Sequence, residues 1–199
     1  MGRRPSGENV NFLQGGHLRK LLVLVLLLGF CAALTAKEEP VAKPENTCYT
    51  DSAVVEKGTS FPVRVFISNI DTLAGMQIPF YYRSENVNIV CDSVSFAGSR
   101  CSNFAYNDFK IEPVGKTVFF AFIFTVDPNK DVKPLLPGQG LVATLWFSAP
   151  KDTHSGAVAL ESGPNVFLPH PKIDYGYHFW TPAALEVDFA YKPGTISVK

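Results

Sequence analysis

From Phe61 to Ser68 the chain alternates: Phe61, Val63, Val65 and Ile67 are apolar, with Pro62, Arg64, Phe66 and Ser68 between them. A period of two puts every second side chain on one face, so this run predicts a strand with one face in a core. Gly75 to Tyr82 follows the same rule, with Met76, Ile78, Phe80 and Tyr82 on one side. Val87 to Phe96 is a third run of this kind. Lys116 to Val126 is the most apolar, because both its faces, Phe119/Ala121/Ile123 and Val118/Phe120/Phe122/Phe124, are hydrophobic. Leu141 to Ser148, Ala157 to Glu161, Leu185 to Tyr191 and Thr195 to Val198 complete the series. Gly, Pro, Asn and Asp punctuate it at Asn69 to Asp71, Ala97 to Ser99, Asp127 to Asn129, Pro137 to Gly140 and Lys192 to Gly194. Each favours a turn for a local backbone reason. After Ala36 no stretch keeps a 3.6-residue period. Short, regularly spaced strands with turn signals predict one all-β domain, an antiparallel sandwich.

The start of the chain breaks this pattern. His17-Leu18-Arg19-Lys20 is a positive flank, and the 16 residues from Leu21 to Ala36 are apolar and then small. As a helix that run spans roughly 24 Å, short of the roughly 30 Å hydrocarbon core of a bilayer. It predicts a secretory signal peptide over residues 1–36, cleaved after Ala33 or Ala36. Membrane contact is then expected only through this segment if it stays uncleaved. Residues 37–47, charged and Pro-containing, predict a linker, and the sandwich runs over 48–199. The expected location is secreted, periplasmic or cell-surface, in a bacterium.

Composition narrows the functional classes. The 199 residues carry no net charge, 46% are hydrophobic and 18% are charged, which suits a globular domain. From Lys37 onward 14 basic and 17 acidic residues remain, a net charge of −3. No basic patch calls for nucleic acid. Cys48, Cys91 and Cys101 would meet an oxidising compartment, which predicts one disulfide and one leftover thiol. Three pairings are open, and the short loop it closes favours Cys91 with Cys101. No catalytic constellation stands out: the chain has no GxSxG, no HExxH and no Gly-rich phosphate loop. Cys101 beside a histidine is the one conceivable nucleophile. The acidic pairs Asp127/Asp131 and Glu186/Asp188 read as solvated turn and strand residues. No enzyme activity, cofactor or metal is expected.

Several segments resemble cohesin domains. Val54 to Val65 (VVEKGTSFPVRV) is similar to their opening, where a Gly turn leads into an alternating strand. Asn69 to Tyr82 (NIDTLAGMQIPFYY) is similar to the loop that enters the next core strand. Leu136 to Phe147 (LPGQGLVATLWF) resembles their G-x-L-A-T-I-x-F strand, and Pro193 to Val198 their closing strand. The resemblance covers about Cys48 to Lys199. It implies a jelly-roll sandwich of about nine strands, shared with carbohydrate-binding modules of families 2 and 3. It also implies recognition without chemistry: cohesins bind dockerin modules through one sheet face, and the related modules bind polysaccharide. The segment from Asn165 to Ala184 is longer and more aromatic than that pattern.

Three segments are candidate contact surfaces. Tyr175, Tyr177, His178, Phe179 and Trp180 would form an aromatic platform for sugars or a protein anchor, unless their rings pack down onto the core. Phe120, Phe122 and Phe124 would form an exposed partner face if Phe119, Ala121 and Ile123 turn inward. Phe104 to Phe109 reads as an edge strand or loop rim. The function expected is a secreted recognition module for a polysaccharide or an extracellular protein. The alternative is an envelope or matrix component that self-associates.

Overall fold

A computed structural model describes residues 45–124, 133–164 and 176–199. The signal-peptide prediction lies outside these residues, as does the linker prediction up to residue 44. Thr47, at the end of the predicted linker, opens the first strand.

Among the described residues every regular element is a strand. They are β1 (Thr47–Thr50), β2 (Ala53–Val55), β3 (Thr59–Asn69), β4 (Gly75–Tyr81), β5 (Val90–Ser95), β6 (Tyr106–Glu112), β7 (Thr117–Ile123), β8 (Gly138–Ala149), β9 (Gly156–Ala159), β10 (His178–Trp180), β11 (Ala190–Lys192) and β12 (Thr195–Val198). The described residues hold twelve strands, in keeping with the expected sandwich of about nine. The predicted strand at Leu185 to Tyr191 shrinks to β11 and an isolated bridge at Glu186. The run from Val87 forms β5 only from Val90 onward.

One sheet has the order β11-β1-β3-β8-β5, the second β10-β4-β7-β6, and a third, β2-β12-β9, closes one end. The period-two runs explain which residues face which way. In β3, Phe61, Val63, Val65 and Ile67 are buried while the residues between them are exposed or half-buried. Facing them, β4 contributes Met76, Ile78 and Phe80, and β7 contributes Val118, Phe120 and Phe122, all with no exposed surface. Aromatic pairs knit the layers: Tyr82 meets Phe147 edge-on at 5.1 Å, and Phe96 meets Phe122 at 4.7 Å. Each such ring contributes about 2–3 kcal/mol by leaving water. The core cluster lies wholly between Cys48 and Val198.

Two pairings depart from the antiparallel expectation. β1 runs parallel to β11, and β12 runs parallel to β2. The first and last strands of the described residues therefore lie side by side, and the approach is tight. A Cβ on Gly194 would sit 2.1 Å from the Asp51 carbonyl oxygen, so only glycine fits there.

The expected Cys91–Cys101 disulfide is corrected: Cys48, Cys91 and Cys101 are all free, buried thiols. Cys91 lies opposite Phe147 on β8, whereas Arg100, beside Cys101, donates its N–H to Leu141 O. Six residues of strand separate those anchor points, roughly 20 Å at about 3.4 Å per residue. A disulfide needs Cα atoms within about 7 Å. A short loop in sequence is here stretched along a strand.

Candidate binding face

The β10-β4-β7-β6 sheet has an inner and an outer face, and register fixes which residues take which. Ile78 lies opposite Phe120 and Met76 opposite Phe122, so the Phe residues of β7 share the inward side of β4. Phe120 and Phe122 are fully buried, and Phe124 is half-buried and packs against the core. The expected partner face on these three residues is therefore corrected: the outward set is Phe119, Ala121 and Ile123. Hydrophobicity could not choose between two apolar faces, but the pairing with β4, whose outward positions include Gln77, does.

The outer face is laid out in rows. Trp180, Gly75, Ile123 and Tyr106 form one row across the four strands. His178, Gln77, Ala121 and Asp108 form the next, and Pro79, Phe119 and Lys110 a third. Ile123 is 40% exposed and Tyr106 43%. This end of the face is thus apolar, and His178, Asp108 and Lys110 lie in the rows beside it.

The aromatic segment divides by the same alternation. Tyr177 and Phe179 are buried. Phe179 stacks on Phe189 at 3.7 Å, and Tyr177 packs against it at 5.0 Å. The Tyr177 hydroxyl faces the Cys48 thiol and makes no other hydrogen bond among the described residues. Burial pushes its pKa far above the phenol range. The platform expected from Tyr177 and Phe179 is corrected accordingly, while Tyr175 lies outside the described residues. His178 and Trp180 are half-buried and remain on the outer face. Their rings stack at 5.4 Å, and His178 Nδ1 is 2.5 Å from the Glu186 carboxylate. Val187 donates its N–H to Phe179 O, and Ala184 closes a turn by donating to Thr181 O. Trp180 therefore stands on a braced hairpin.

Small residues make this face concave. A depression of about 480 Å³ has Gly75 and Ala121 in its floor, with Trp180, Pro182 and Ala184 as one wall. A Cβ on Gly75 would come within 3.4 Å of the Trp180 ring and 3.3 Å of Phe122 O, so glycine lets the indole lie close to the strand. A second depression of about 480 Å³, lined by Tyr106, Asp108, Lys110 and Phe119, shares Gln77 and Ala121 with the first.

The outer face of the β11-β1-β3-β8-β5 sheet differs in chemistry. Ser93 and Pro62 flank Trp146, and Ser148, Ser60, Ser95 and Thr144 surround them. Its other aromatics are already occupied. Tyr49 stacks on Phe66 at 5.2 Å, the Arg64 guanidinium lies 5.6 Å over Phe66, and Gln139 donates to the Tyr49 hydroxyl. Trp146 is the large ring left exposed there, at 42%.

The described residues hold no cluster of His, Cys, Asp and Glu that could bind a metal. Burial pushes the Cys101 thiol up to about 12, the reverse of what a nucleophile requires. Phe104 is buried, and Tyr106 to Phe109 belong to the edge strand β6. Asp127, Asp131 and His170 lie outside the described residues.

No protein-family model and no curated protein sequence matches the chain. Solved structures do. A non-cellulosomal cohesin from the archaeon Archaeoglobus fulgidus superposes with a TM-score of 0.58 at 18% identity, covering 78% of this chain and 92% of that one. The OlpA cohesin of Clostridium thermocellum, solved in complex with Doc918, gives 0.61 at 11% identity, covering 78% and 100%. The sixth cohesin of Acetivibrio cellulolyticus scaffoldin B, solved with the Cel5 dockerin, gives 0.60 at 12% identity, covering 78% and 100%. At these identities the likeness establishes the fold: this is a cohesin-like β-sandwich.

Proposed function

We propose that the chain is an exported, non-catalytic recognition module that holds a protein partner on the outer face of the β10-β4-β7-β6 sheet. One observation carries the reading. This face sets an apolar row (half-buried Trp180, exposed Ile123 and Tyr106) and shallow concavities beside polar residues, while the opposite face is hydroxyl-rich with its rings mostly self-paired. Apolar aromatic anchors flanked by polar residues are the material of a protein interface. The similar solved structures include cohesins in complex with dockerins, and a dockerin-type module is the first partner to try. Export rests on the leader-like residues 1–36.

Polysaccharide is the second reading, favoured by Trp180 and Trp146, though two rings of the expected platform are in the core. The test runs both arms on the chain from Lys37, which contains the whole core. Dockerin modules and a glycan array are screened, and Ile123→Asp is compared with Trp146→Ala. The expected outcome is a protein ligand whose affinity falls about 30-fold in Ile123→Asp, the loss of a hot spot of about 2 kcal/mol, with melting temperature unchanged. Glycan binding that survives Ile123→Asp and disappears in Trp146→Ala would overturn the reading.

A further inference from the structure

We propose that two copies of this chain pair antiparallel through β6, centred on Phe109, joining their four-stranded sheets into one eight-stranded sheet. β6 ends the order β10-β4-β7-β6, so among the described residues one side of it is an open edge. All but one of its seven residues are exposed, including Tyr106 and Phe109 at 43% and 40%. Such an edge is a template for a further strand.

Ladder parity shows which groups face outward. Tyr82 N–H donates to Lys116 O and Phe124 N–H to Ala74 O, which turns the even-numbered residues of β7 toward β4. The odd-numbered ones face β6, where they meet Tyr106, Asp108, Lys110 and Glu112. Asn107, Phe109 and Ile111 therefore present their N–H and C=O groups to the open edge. The Phe109 N–H agrees: it donates at 2.8 Å to the Asp108 carboxylate, a local substitute for a neighbouring strand.

The sequence of β6 then selects the occupant. Turned end over end about Phe109, it sets Asp108 against Lys110 of the second copy, Lys110 against Asp108, and Phe109 against Phe109. Tyr106, whose hydroxyl donates to Asp108 Oδ2 at 3.1 Å, falls opposite Glu112. Moving the register by two residues sets Asp108 against Asp108 or Lys110 against Lys110, so like charges oppose the neighbouring registers. In the centred register the Phe109 N–H passes to the second copy's Phe109 carbonyl, and the Asp108 carboxylate turns to Lys110. This contact does not depend on the partner proposed for the sheet face.

Light scattering and sedimentation on the chain from Lys37 test it at concentrations up to about 1 mM, a range that reaches contacts of only about 4 kcal/mol. The expected result is a dimer of the native sequence and monomers of Asp108→Lys and Lys110→Asp, each alone. An equimolar mixture of the two variants should dimerise again, because each supplies the charges the other lacks. Phe109→Pro removes an edge N–H that β7 does not use, and should give a folded monomer. A native chain that stays monomeric throughout overturns the proposal. So does a dimer that persists in both single variants, or a mixture that stays monomeric.

Discussion

The three thiols show how position sets the chemistry of a residue type. Cys48, Cys91 and Cys101 lie in the core, and burial pushes each pKa up to about 12. For Cys91 the neighbouring Asp92 carboxylate adds to the shift, and for Cys101 the Arg100 guanidinium partly offsets it. The folded state thus holds protons that an unfolded thiol gives up near pH 8.5. Folding takes up protons in this range, so this contribution to stability is complete below about pH 8.5 and is lost as pH rises from there toward 12. Chemical denaturation of the chain from Lys37 should show a stability plateau near neutral pH and a steady decline above pH 9. Substituting all three thiols by Ala should flatten that decline. The same chain should titrate three thiols with a colorimetric disulfide reagent in denaturant and essentially none when native. A single thiol in denaturant would mean that a disulfide forms after all.

At the scale of the strand, legibility followed the strength of alternation. β3 and β4 have one apolar and one mixed face, and their sidedness was readable from residue order alone. β7 was readable as a strand but not in its sidedness, because Phe119, Ala121 and Ile123 are as apolar as the Phe residues between them. β10 is the same problem at three residues: its rings do not say that Phe179 meets Phe189 while Trp180 stays out. Register with a neighbour supplies the missing information, and no single strand contains it. Mutation can check the assignment directly. Phe120→Ala should remove about 4 kcal/mol of stability, as expected for an excavated core ring. Ile123→Ala, three residues further along β7 on the outer side, should cost under about 1 kcal/mol. Thermal or urea melts of the pair decide it, and equal losses would mean the sheet face is covered.

At the scale of the molecule, a sandwich was legible because turn signals recur between short apolar runs, but the way it closes was not. Parallel pairing of β1 with β11 and of β12 with β2 joins residues more than a hundred positions apart, and local pattern carries no trace of such partners. The closure depends on a few contacts where the ends meet. Gly194 donates its N–H to the Thr50 hydroxyl at 2.7 Å, and the Tyr191 hydroxyl donates to Leu160 O while lying 3.3 Å from Thr50. Beyond Gly194, Ile196 and Val198 are buried and link β2 to β9. If this seam holds the third sheet onto the other two, a single methyl placed in it should be felt across the domain. Gly194→Ala forces a carbon against the Asp51 carbonyl, which is backbone and cannot swing aside. The expected loss is on the order of 3 kcal/mol, a fall in melting temperature of about 6–12 °C for a domain of this size. Gly98→Ala is the comparison: unlike Gly194 it has a positive φ, at 70°, but nothing lies within 4 Å of the added carbon, so it carries only the backbone cost of about 1 kcal/mol. Equal losses at the two positions would make the seam no tighter than an ordinary turn. A much larger loss at Gly194, with amide exchange rising in β2, β9 and β12 together, would identify the paired first and last strands as the clasp of the sandwich.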